Sequence, residues 1–264
     1  MQKFNFRPVA FVLASTDHGS MLVNRFDYKL TEAGDAGIGL GFQLLNRSSY
    51  DHGEVDLLLQ LLDLRRQYFG EGVVAIDCGA NIGVHTVEWA RFMHRWGEVI
   101  AIEAQERIFY ALAGNITLNN CFNARAIWAA VGREDGSINV PVPNYFTPSS
   151  FGSFEIRQTE STEFIGQVID YHSGKTQATQ MLSIDSLALS RADLIKIDIE
   201  GMEMEALEGA SHTIQNLKPQ LFIEKIKTDE NELNSFLSSR GYKILSAGMN
   251  VLAVHESDPV TSII

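Results

Sequence analysis

Charged residues alternate with isoleucines where the sequence predicts a buried strand. In LIKIDIEG, which begins at residue 194, Lys196, Asp198 and Glu200 interrupt an otherwise apolar run. Alternate residues of a strand share one face, so we expect these charges to form a row that runs to the strand end. A carboxylate at that end could act as a general base and take a proton from a hydroxyl group. Asp198 and Glu200 are therefore the candidate catalytic residues.

The same carboxylates could instead bind a hard divalent cation that acidifies the hydroxyl. Glu224, at the end of the next predicted strand, would be a third ligand. No tight ligand cluster in the sequence demands a metal, so none is assigned. Lys196 needs an acidic partner, because a buried unpaired charge is costly. The candidate partners are Asp198, Asp185 and Glu224, and the pair could be purely structural.

A glycine-rich turn, AIDCGANIGVHT at residues 75–86, is the second candidate site. It joins a predicted strand to a predicted helix, where small residues let a ligand approach the backbone and helix amides offer positive partial charge. This suits a dinucleotide or S-adenosylmethionine. A dinucleotide pattern requires glycine at positions 79, 81 and 84, but Asn81 and Val84 stand at two of them, so that match is poor.

Acids at the ends of two predicted strands favour S-adenosylmethionine. Asp77 could face the positive charge of a sulfonium ligand, and Glu103 could bind both ribose hydroxyls, next to the expected adenine edge. A structural turn without a ligand is the alternative. The predicted cofactor-binding residues are Asp77, Gly79, Ala80, Asn81, Gly83, Glu103, Ala104, Gln105 and Asp198.

Alternating strands and helices must position these residues. The apolar patterns predict strands at 73–77, 98–104, 124–131, 192–198, 220–226, 242–248 and 250–256. They predict helices at 54–69, 82–96, 106–120, 202–217 and 230–240. Near-continuous apolar strands alternating with helices indicate a parallel sheet covered on both faces, which is an α/β fold.

Two segments fall outside this alternation. Residues 1–52 form an N-terminal extension with a β-hairpin at 9–14 and 21–24 and a glycine-rich loop at 31–42. The main domain, residues 53–264, contains a polar insertion at about 133–180 with three prolines, in which we expect short strands. Its aromatic and hydroxyl side chains suit a polyhydroxylated acceptor, unless it is a lid that only packs on the sheet.

The histidines are weaker candidates for the site. His85 falls in the first turn after the glycine loop and could face the cleft. His52 and His172 could contact an acceptor. His18, His94 and His212 are predicted to lie at the surface.

Three segments together resemble the FkbM family of S-adenosylmethionine-dependent methyltransferases. They are VVAIDCGANIGVHT, VIAIEAQE and LIKIDIEGMEMEALEGA, and the likeness covers about residues 50–255. The resemblance implies a class I methyltransferase Rossmann-like fold, with a seven-stranded, mostly parallel sheet of order 3-2-1-4-5-7-6 whose last strand is antiparallel. It also implies S-adenosyl-L-methionine as cofactor and methyl transfer to oxygen, often a hydroxyl of a sugar or natural product.

Composition narrows the possible partners. The net charge is −12, with 33 acidic and 21 basic residues and no basic stripe, which disfavours nucleic acid. No apolar run is long enough for a membrane helix. Two widely spaced cysteines, Cys78 and Cys121, indicate buried thiols in a reducing compartment, and the N-terminal apolar stretch suits a strand better than a signal peptide. We therefore expect a cytoplasmic protein with a small-molecule or glycan acceptor, in which an oligomer is possible.

The sequence thus predicts an O-methyltransferase that acts on a hydroxyl of a saccharide or similar small metabolite. The Asn/Asp-Pro-Pro-aromatic signature of amino methylation is missing after the fourth strand of the predicted sheet. The alternatives are an NAD-dependent oxidoreductase of Rossmann type and a non-catalytic relative that binds the cofactor.

Overall fold

The computed structural model describes residues 7–31, 37–172 and 174–263. The strands are β1 Phe11–Thr16, β2 Gly19–Asn24, β3 Lys29–Leu30, β4 Gly37–Ile38, β5 Val73–Cys78, β6 Gly97–Glu103, β7 Ala124–Trp128, β8 Ala130–Val131, β9 Gly136–Pro141, β10 Thr176–Leu182, β11 Leu194–Ile197, β12 Gln220–Glu224, β13 Tyr242–Ala247 and β14 Asn250–His255. The helices are α1 Leu40–Arg47, α2 His52–Phe69, α3 Val84–Phe92, α4 Glu106–Leu118, α5 Glu203–Glu208, α6 Ser211–Leu217 and α7 Glu230–Ser238, with short 3-10 turns at Ile184–Leu187 and Pro259–Ser262.

The central sheet has seven strands in the order β7-β6-β5-β11-β12-β14-β13. Strand β14 is antiparallel to both of its neighbours, and the other pairs are parallel. Numbered along the domain, this is the order 3-2-1-4-5-7-6, and the predicted class I methyltransferase sheet is confirmed. Ligands of such sheets bind beyond the carboxyl ends of the central strands, where the strand order reverses.

Each face of the sheet carries its own hydrophobic cluster. Along β5, Val73 and Ala75 belong to the cluster beneath α2, α3 and α4, whereas Val74 and Ile76 belong to the cluster beneath α5, α6 and α7. Both faces are therefore buried, which explains why the strands read as continuous apolar runs rather than alternating ones. Cys78 and Cys121 are buried free thiols, as predicted.

Several predicted elements are shorter or divided in the structure. Helix α3 covers only Val84–Phe92 of the predicted 82–96. The predicted helix 202–217 is two helices, and Gly209 lies at their junction. Glycine is needed there because a Cβ would lie 2.2 Å from the carbonyl oxygen of Gly132. The predicted strand 124–131 is also divided, and its last part, β8, joins a different sheet.

The N-terminal extension packs on the sheet domain. Its hairpin begins two residues later than predicted, at Phe11, and the side chain of Asn115 on α4 accepts a hydrogen bond from the amide of Leu22 at 2.6 Å. The predicted loop 31–42 is partly wrong, since its last residues begin helix α1, although residues 32–36 lie outside the described part of the chain. The sequence pattern did not predict this helix because position 41 is glycine, which is typical of loops. Glycine is needed there because a Cβ would lie 2.5 Å from the carbonyl oxygen of Asn24.

The insertion forms a small second sheet. Strand β10 lies between β8, to which it is parallel, and β9, to which it is antiparallel. The short strands expected in the insertion are therefore present at its two ends, and an irregular segment joins them. Among the described helices, none combines the length and the hydropathy of a membrane span.

Candidate active site

A cavity of about 390 Å³ opens at the carboxyl ends of β5, β6, β11 and β12. This volume lies within the range of roughly 300–1,000 Å³ that is usual for pockets that bind small molecules. The extension contributes Leu40, Gln43 and Tyr50 to its wall, and the insertion contributes Ser150, Ser153, Phe154 and Glu163. From the sheet and the loops that follow its strands, the lining residues include Gly79, Ala80, Asn81, His85, Glu103, Ala104, Gln105, Ala129, Lys196, Asp198, Glu200, Glu224 and Ile226.

The glycine loop is held against the end of β11. Gly79 has a positive φ of 77°, and a Cβ there would lie 1.8 Å from the carbonyl oxygen of Asp198. Only glycine fits both the left-handed backbone and this close approach. The loop therefore brings its own backbone and the carboxylate of Asp198 to the same point of the cavity wall.

Glu103 lies at the cavity wall with both oxygens already bonded to the backbone. One oxygen accepts from the amide of Asn81 at 3.0 Å and the other from the amide of Gln105 at 2.7 Å. Burial raises its pKa to about 7, although these amides act in the opposite direction. Each carboxylate oxygen has a further lone pair, so the ribose contact predicted for Glu103 is compatible with this arrangement.

Gln105 also lines the cavity, but its side chain has a structural task. Its amide nitrogen donates to the carbonyl oxygen of Phe151 at 3.0 Å, and its amide oxygen accepts from the hydroxyl of Tyr145 at 3.3 Å. These bonds join the end of β6 to the insertion.

Two predicted cofactor residues, Asp77 and Gly83, are not among the residues that line the cavity. Asp77 is buried at the end of β5, where it accepts a hydrogen bond from Thr86 at 2.6 Å and lies in register with Lys196 on β11. A Cβ at Gly83 would lie 2.5 Å from Leu112, so this glycine serves packing. The structure therefore does not place Asp77 where the predicted direct contact with a cofactor needs it, because its carboxylate is buried outside the cavity wall.

Lys196 is buried and donates a hydrogen bond to Asp198 at 2.8 Å. Burial alone would lower the pKa of Lys196, but the carboxylates of Asp198, Asp77 and Glu54 outweigh it, and the pKa is raised. Among the predicted partners, Asp198 is therefore the bonded one. Asp185 is not, because it accepts hydrogen bonds from the backbone amides of His212 and Thr213.

Asp198, Glu200 and Glu224 converge on one side of the cavity. Each offers a carboxylate oxygen within 4.8 Å of the other two. Burial raises the pKa of Glu200 to about 7, while Lys227, whose Nζ lies 2.5 Å from Glu200, opposes that rise. Burial and then the neighbouring carboxylates of Asp198 and Glu200 raise the pKa of Glu224 to about 8.

The predicted row of charges ends earlier than expected. Strand β11 stops at Ile197, and Glu200 has a positive φ of 56°, so it does not continue the alternation. It reaches the cluster through a left-handed turn instead of along the strand. Asp198 and Glu200 are therefore close together because of this turn, and not because they alternate along one strand.

The histidines divide between the cavity and other positions. His85 is 7% exposed and lines the cavity, as its position after the loop allowed. His52 and His172 lie outside the cavity wall with exposed side chains. The prediction that His18 lies at the surface is wrong, since it is 1% exposed and bonded to Glu88 and to the amide of Tyr50.

Sequence reasoning missed four polar residues at or beside the site: Tyr50, Glu54, Glu163 and Lys227. Tyr50 and Glu163 line the cavity, and Glu54 and Lys227 form ion pairs with residues of its wall. None of them belongs to a motif. For Lys227, its place just after the predicted strand 220–226 was the single signal that could have identified it.

The fold and the cavity define a Rossmann-like methyltransferase domain of class I. Residues 77–244 match the model of the methyltransferase FkbM domain, so the chain belongs to this family of methyltransferases. The family predicted from the three sequence segments is confirmed.

Individual relatives are distant. Methyltransferase 1 of Beauveria bassiana (strain ARSEF 2860) is 25% identical over 190 residues, which are 67% of this chain and 74% of that protein. The solved methyltransferase FkbM from Methylobacillus flagellatus KT is 21% identical with a TM-score of 0.48, over 73% of this chain and 48% of that one. Precorrin-6y C5,15-methyltransferase from Geobacter metallireducens GS-15 is 13% identical with a TM-score of 0.44, over 78% and 88% of the two chains.

Proposed function

We propose that this methyltransferase uses S-adenosyl-L-methionine to methylate a hydroxyl oxygen of a saccharide or similar small metabolite in the cytoplasm. One observation carries the proposal: a single cavity is lined by the glycine loop, by Glu103 and by the carboxylates of Asp198, Glu200 and Glu224. The first two suit the donor, and the acidic cluster suits removal of a proton from the acceptor. Nucleic acid stays outside the proposal, because the chain carries a net charge of −12.

The donor set of the cavity fits the proposed cofactor. Glu103 offers acceptor lone pairs for ribose hydroxyls, and Ala104 and Ala129 give the neighbouring wall small apolar side chains. Asp198 offers negative charge beside the glycine loop, which suits a ligand that carries a sulfonium and an ammonium group. When bound, this cofactor would supply an electrophilic methyl carbon.

The role of the protein is to align the acceptor oxygen and to remove its proton. Alignment of the reacting groups can supply much of the rate gain in such a displacement. Asp198 and Glu200 are the candidate bases, and a base with a pKa near the working pH is most effective. Glu200 meets that condition, since burial raises its pKa to about 7. Lys196 holds Asp198 in place through their hydrogen bond.

A divalent cation is the alternative to a simple base. Asp198, Glu200 and Glu224 could hold a hard cation through carboxylate oxygens, and the cation would then acidify the acceptor hydroxyl. Glu224 would have to lose its proton, so binding would strengthen with rising pH. Dialysis against a chelator separates the two mechanisms. Turnover that is lost and then restored by Mg²⁺ would favour the cation, and unchanged turnover would favour the base.

The proposal is tested by methyl transfer from radiolabelled S-adenosyl-L-methionine to a panel of saccharides and hydroxylated metabolites. Each active acceptor is paired with its deoxy analogue, which lacks the target hydroxyl. We expect label in the hydroxylated compound and none in its analogue. Label found on nitrogen or carbon would contradict O-methylation, and calorimetry without binding of S-adenosylhomocysteine would contradict the cofactor.

A further inference from the structure

A buried carboxylate in the N-terminal extension joins the two segments that complete the cavity wall. Asp27, between β2 and β3, is 4% exposed. One of its oxygens accepts a hydrogen bond from the amide of Gly41 at 2.9 Å, and the other accepts from the amide of Phe151 at 3.0 Å. Gly41 lies in helix α1 of the extension, and Phe151 lies in the insertion. One side chain therefore connects two segments that are far apart along the chain.

Both donors to Asp27 lie beside residues of the cavity wall, although Asp27 itself does not line the cavity. The wall residues nearest to the two donors in sequence are Leu40 and Gln43 in α1, and Ser150 and Gly152 in the insertion. A shift of either donor therefore shifts part of the wall. Asp27 thus influences the shape of the cavity without contacting a ligand.

The backbone holds Asp27 in place between the two segments. The amide of Phe42 donates to the carbonyl oxygen of Asp27 at 3.0 Å, and the amide of Ser149 donates to the carbonyl oxygen of Phe26 at 3.0 Å. Helix α1 also approaches closely, because a Cβ on Gly41 would lie 2.7 Å from the Cβ of Asp27. The carboxylate therefore stands at a fixed point, to which both α1 and the insertion are bonded.

The segment 150–153 of the insertion is bonded to both sides of the cavity. The side chain of Gln105, just after β6, donates to the carbonyl oxygen of Phe151 at 3.0 Å. Lys227 donates to the carbonyl oxygen of Ser153 at 3.2 Å and forms an ion pair with Glu200. A displacement of this segment would therefore disturb the expected donor side and the carboxylate cluster together.

The link requires a carboxylate rather than a neutral amide. Burial raises the pKa of Asp27 to about 6, although the amides of Gly41 and Phe151 oppose that rise. A carboxylate has one acceptor oxygen for each amide, whereas asparagine has one oxygen and one NH2 donor. In Asp27→Asn the NH2 group would face a backbone N–H group, so one of the two hydrogen bonds would be lost and two donors would oppose each other.

We propose that Asp27 is a positioning residue for methyl transfer, which holds α1 and residues 150–153 at the separation that the donor and the acceptor require. This inference rests on the proposed function, because it takes S-adenosyl-L-methionine as the donor. It gives the N-terminal extension, which lies outside the matched residues 77–244, a part in ligand binding. That part is indirect, since Asp27 acts through the wall residues of the two segments.

The test compares Asp27→Asn with the matched control Asp258→Asn. Asp258 is also 4% exposed and also accepts from a backbone amide, that of Val260 at 2.9 Å, but it does not line the cavity. Urea denaturation gives the stability of each variant. Calorimetry gives the dissociation constant of S-adenosylhomocysteine, and kinetics give kcat/KM for any acceptor that the wild type methylates. Both are measured below the denaturation midpoints and at a pH above the pKa of Asp27.

Both variants are expected to lose stability, because each replaces a buried carboxylate that is hydrogen-bonded. Only Asp27→Asn should also weaken S-adenosylhomocysteine, by about 10-fold, the scale of one lost hydrogen bond to a charged group. It should lower kcat/KM about 100-fold, the scale of a small misplacement of the reacting groups.

Unchanged binding and turnover in Asp27→Asn would overturn the role of Asp27, and so would equal losses in Asp258→Asn. A wild type that does not bind S-adenosylhomocysteine would overturn the proposed function, and this inference with it.

A measurement on the wild type decides the matter if Asp27→Asn does not fold. Saturating S-adenosylhomocysteine should slow the amide hydrogen exchange of Gly41 and Phe151 together, as followed by NMR, because the ligand fixes both segments that Asp27 joins. Slower exchange at one amide without the other, or at neither, would overturn the link.

Discussion

At the scale of single residues, burial and neighbouring charges shift the pKa values of the charged groups in the site. Lys196 is buried but surrounded by carboxylates, so it stays charged and orients Asp198. Glu200 and Glu224 are partly buried and lie near other acids, so each has a raised pKa. Burial and neighbouring charges together therefore set the proton affinity of each group.

The first prediction concerns the candidate bases. A positioned base typically contributes about 10²–10⁴-fold to the rate, so we expect Asp198→Asn and Glu200→Gln each to lower kcat within this range. In the wild type, kcat/KM should rise with pH and level off above about 7, because Glu200 accepts a proton only when ionised and burial raises its pKa to about 7. Glu200→Gln should remove this limb.

Glu232→Gln, an exposed change on α7, is the matched control and should leave the profile unchanged. Turnover that survives in Asp198→Asn would exclude Asp198 as a catalytic residue. A limb that persists in Glu200→Gln would show that another group titrates.

At the scale of elements, the extension and the insertion close a cavity that the sheet alone leaves open. Lys227, just after β12, ties the insertion to the site: its Nζ lies 3.2 Å from Glu155 and 2.5 Å from Glu200. It also donates to the carbonyl oxygen of Ser153 at 3.2 Å. One cation therefore connects Glu200 in the carboxylate cluster to the insertion that covers the cavity.

The second prediction follows from this contact. Lys227→Met leaves the buried carboxylate of Glu155 without its ion pair, and removing one partner of such a pair typically costs about 3–5 kcal/mol. We expect faster amide hydrogen exchange at 150–165 by mass spectrometry. The control is Lys225→Met, since Lys225 pairs with the exposed Glu230. Equal exchange in both variants would show that Lys227 does not hold the insertion.

At the scale of the whole molecule, a buried network joins distant parts of the chain away from the cavity. Arg65 on α2 lies 3.0 Å from Asp193, just before β11, and 2.8 Å from Asp258 near the C-terminal 3-10 turn. Both carboxylates are buried. The network fixes α2 and the chain end to the amino edge of the sheet, opposite the edge that carries the cavity.

The third prediction separates stability from binding. Arg65→Met leaves the buried carboxylate of Asp258 without its cation, whereas Asp193 keeps its ion pair with Arg191. We therefore expect a loss of about 3–5 kcal/mol in the free energy of unfolding by urea denaturation. Binding of S-adenosylhomocysteine below the denaturation midpoint should be unchanged. Arg66→Met is the control, because Arg66 pairs with the exposed Glu71 and such pairs contribute about 0–1 kcal/mol. Similar losses in the two variants would contradict a special role for the buried network.

Much of the site was predictable because local patterns gave the strands and helices, and the resemblance to the FkbM family implied their order in the sheet. Apolar strands and their connecting helices imply a doubly wound sheet, and its carboxyl edge collects the glycine loop, Glu103 and Asp198. Two of the unpredicted residues belong to segments without periodicity. Tyr50 lines the cavity from a turn, and Lys227 contacts residues of its wall from a loop. The paths of such segments depend on packing rather than on local propensity.

The sequence by itself determined the family, through three short motifs, and the residues at the strand ends, through hydrophobic periodicity. The order of the sheet was implied by the resemblance to the family. Tertiary structure alone decided that Asp77 is buried away from the cavity wall, while His85 lines the wall and pairs with Glu54. Side-chain exposure and proton affinity depend on neighbours that are remote along the chain. No local pattern encodes which carboxylate pairs with which cation far along the chain. These ion pairs distinguish the buried structural charges from the charges that line the cavity.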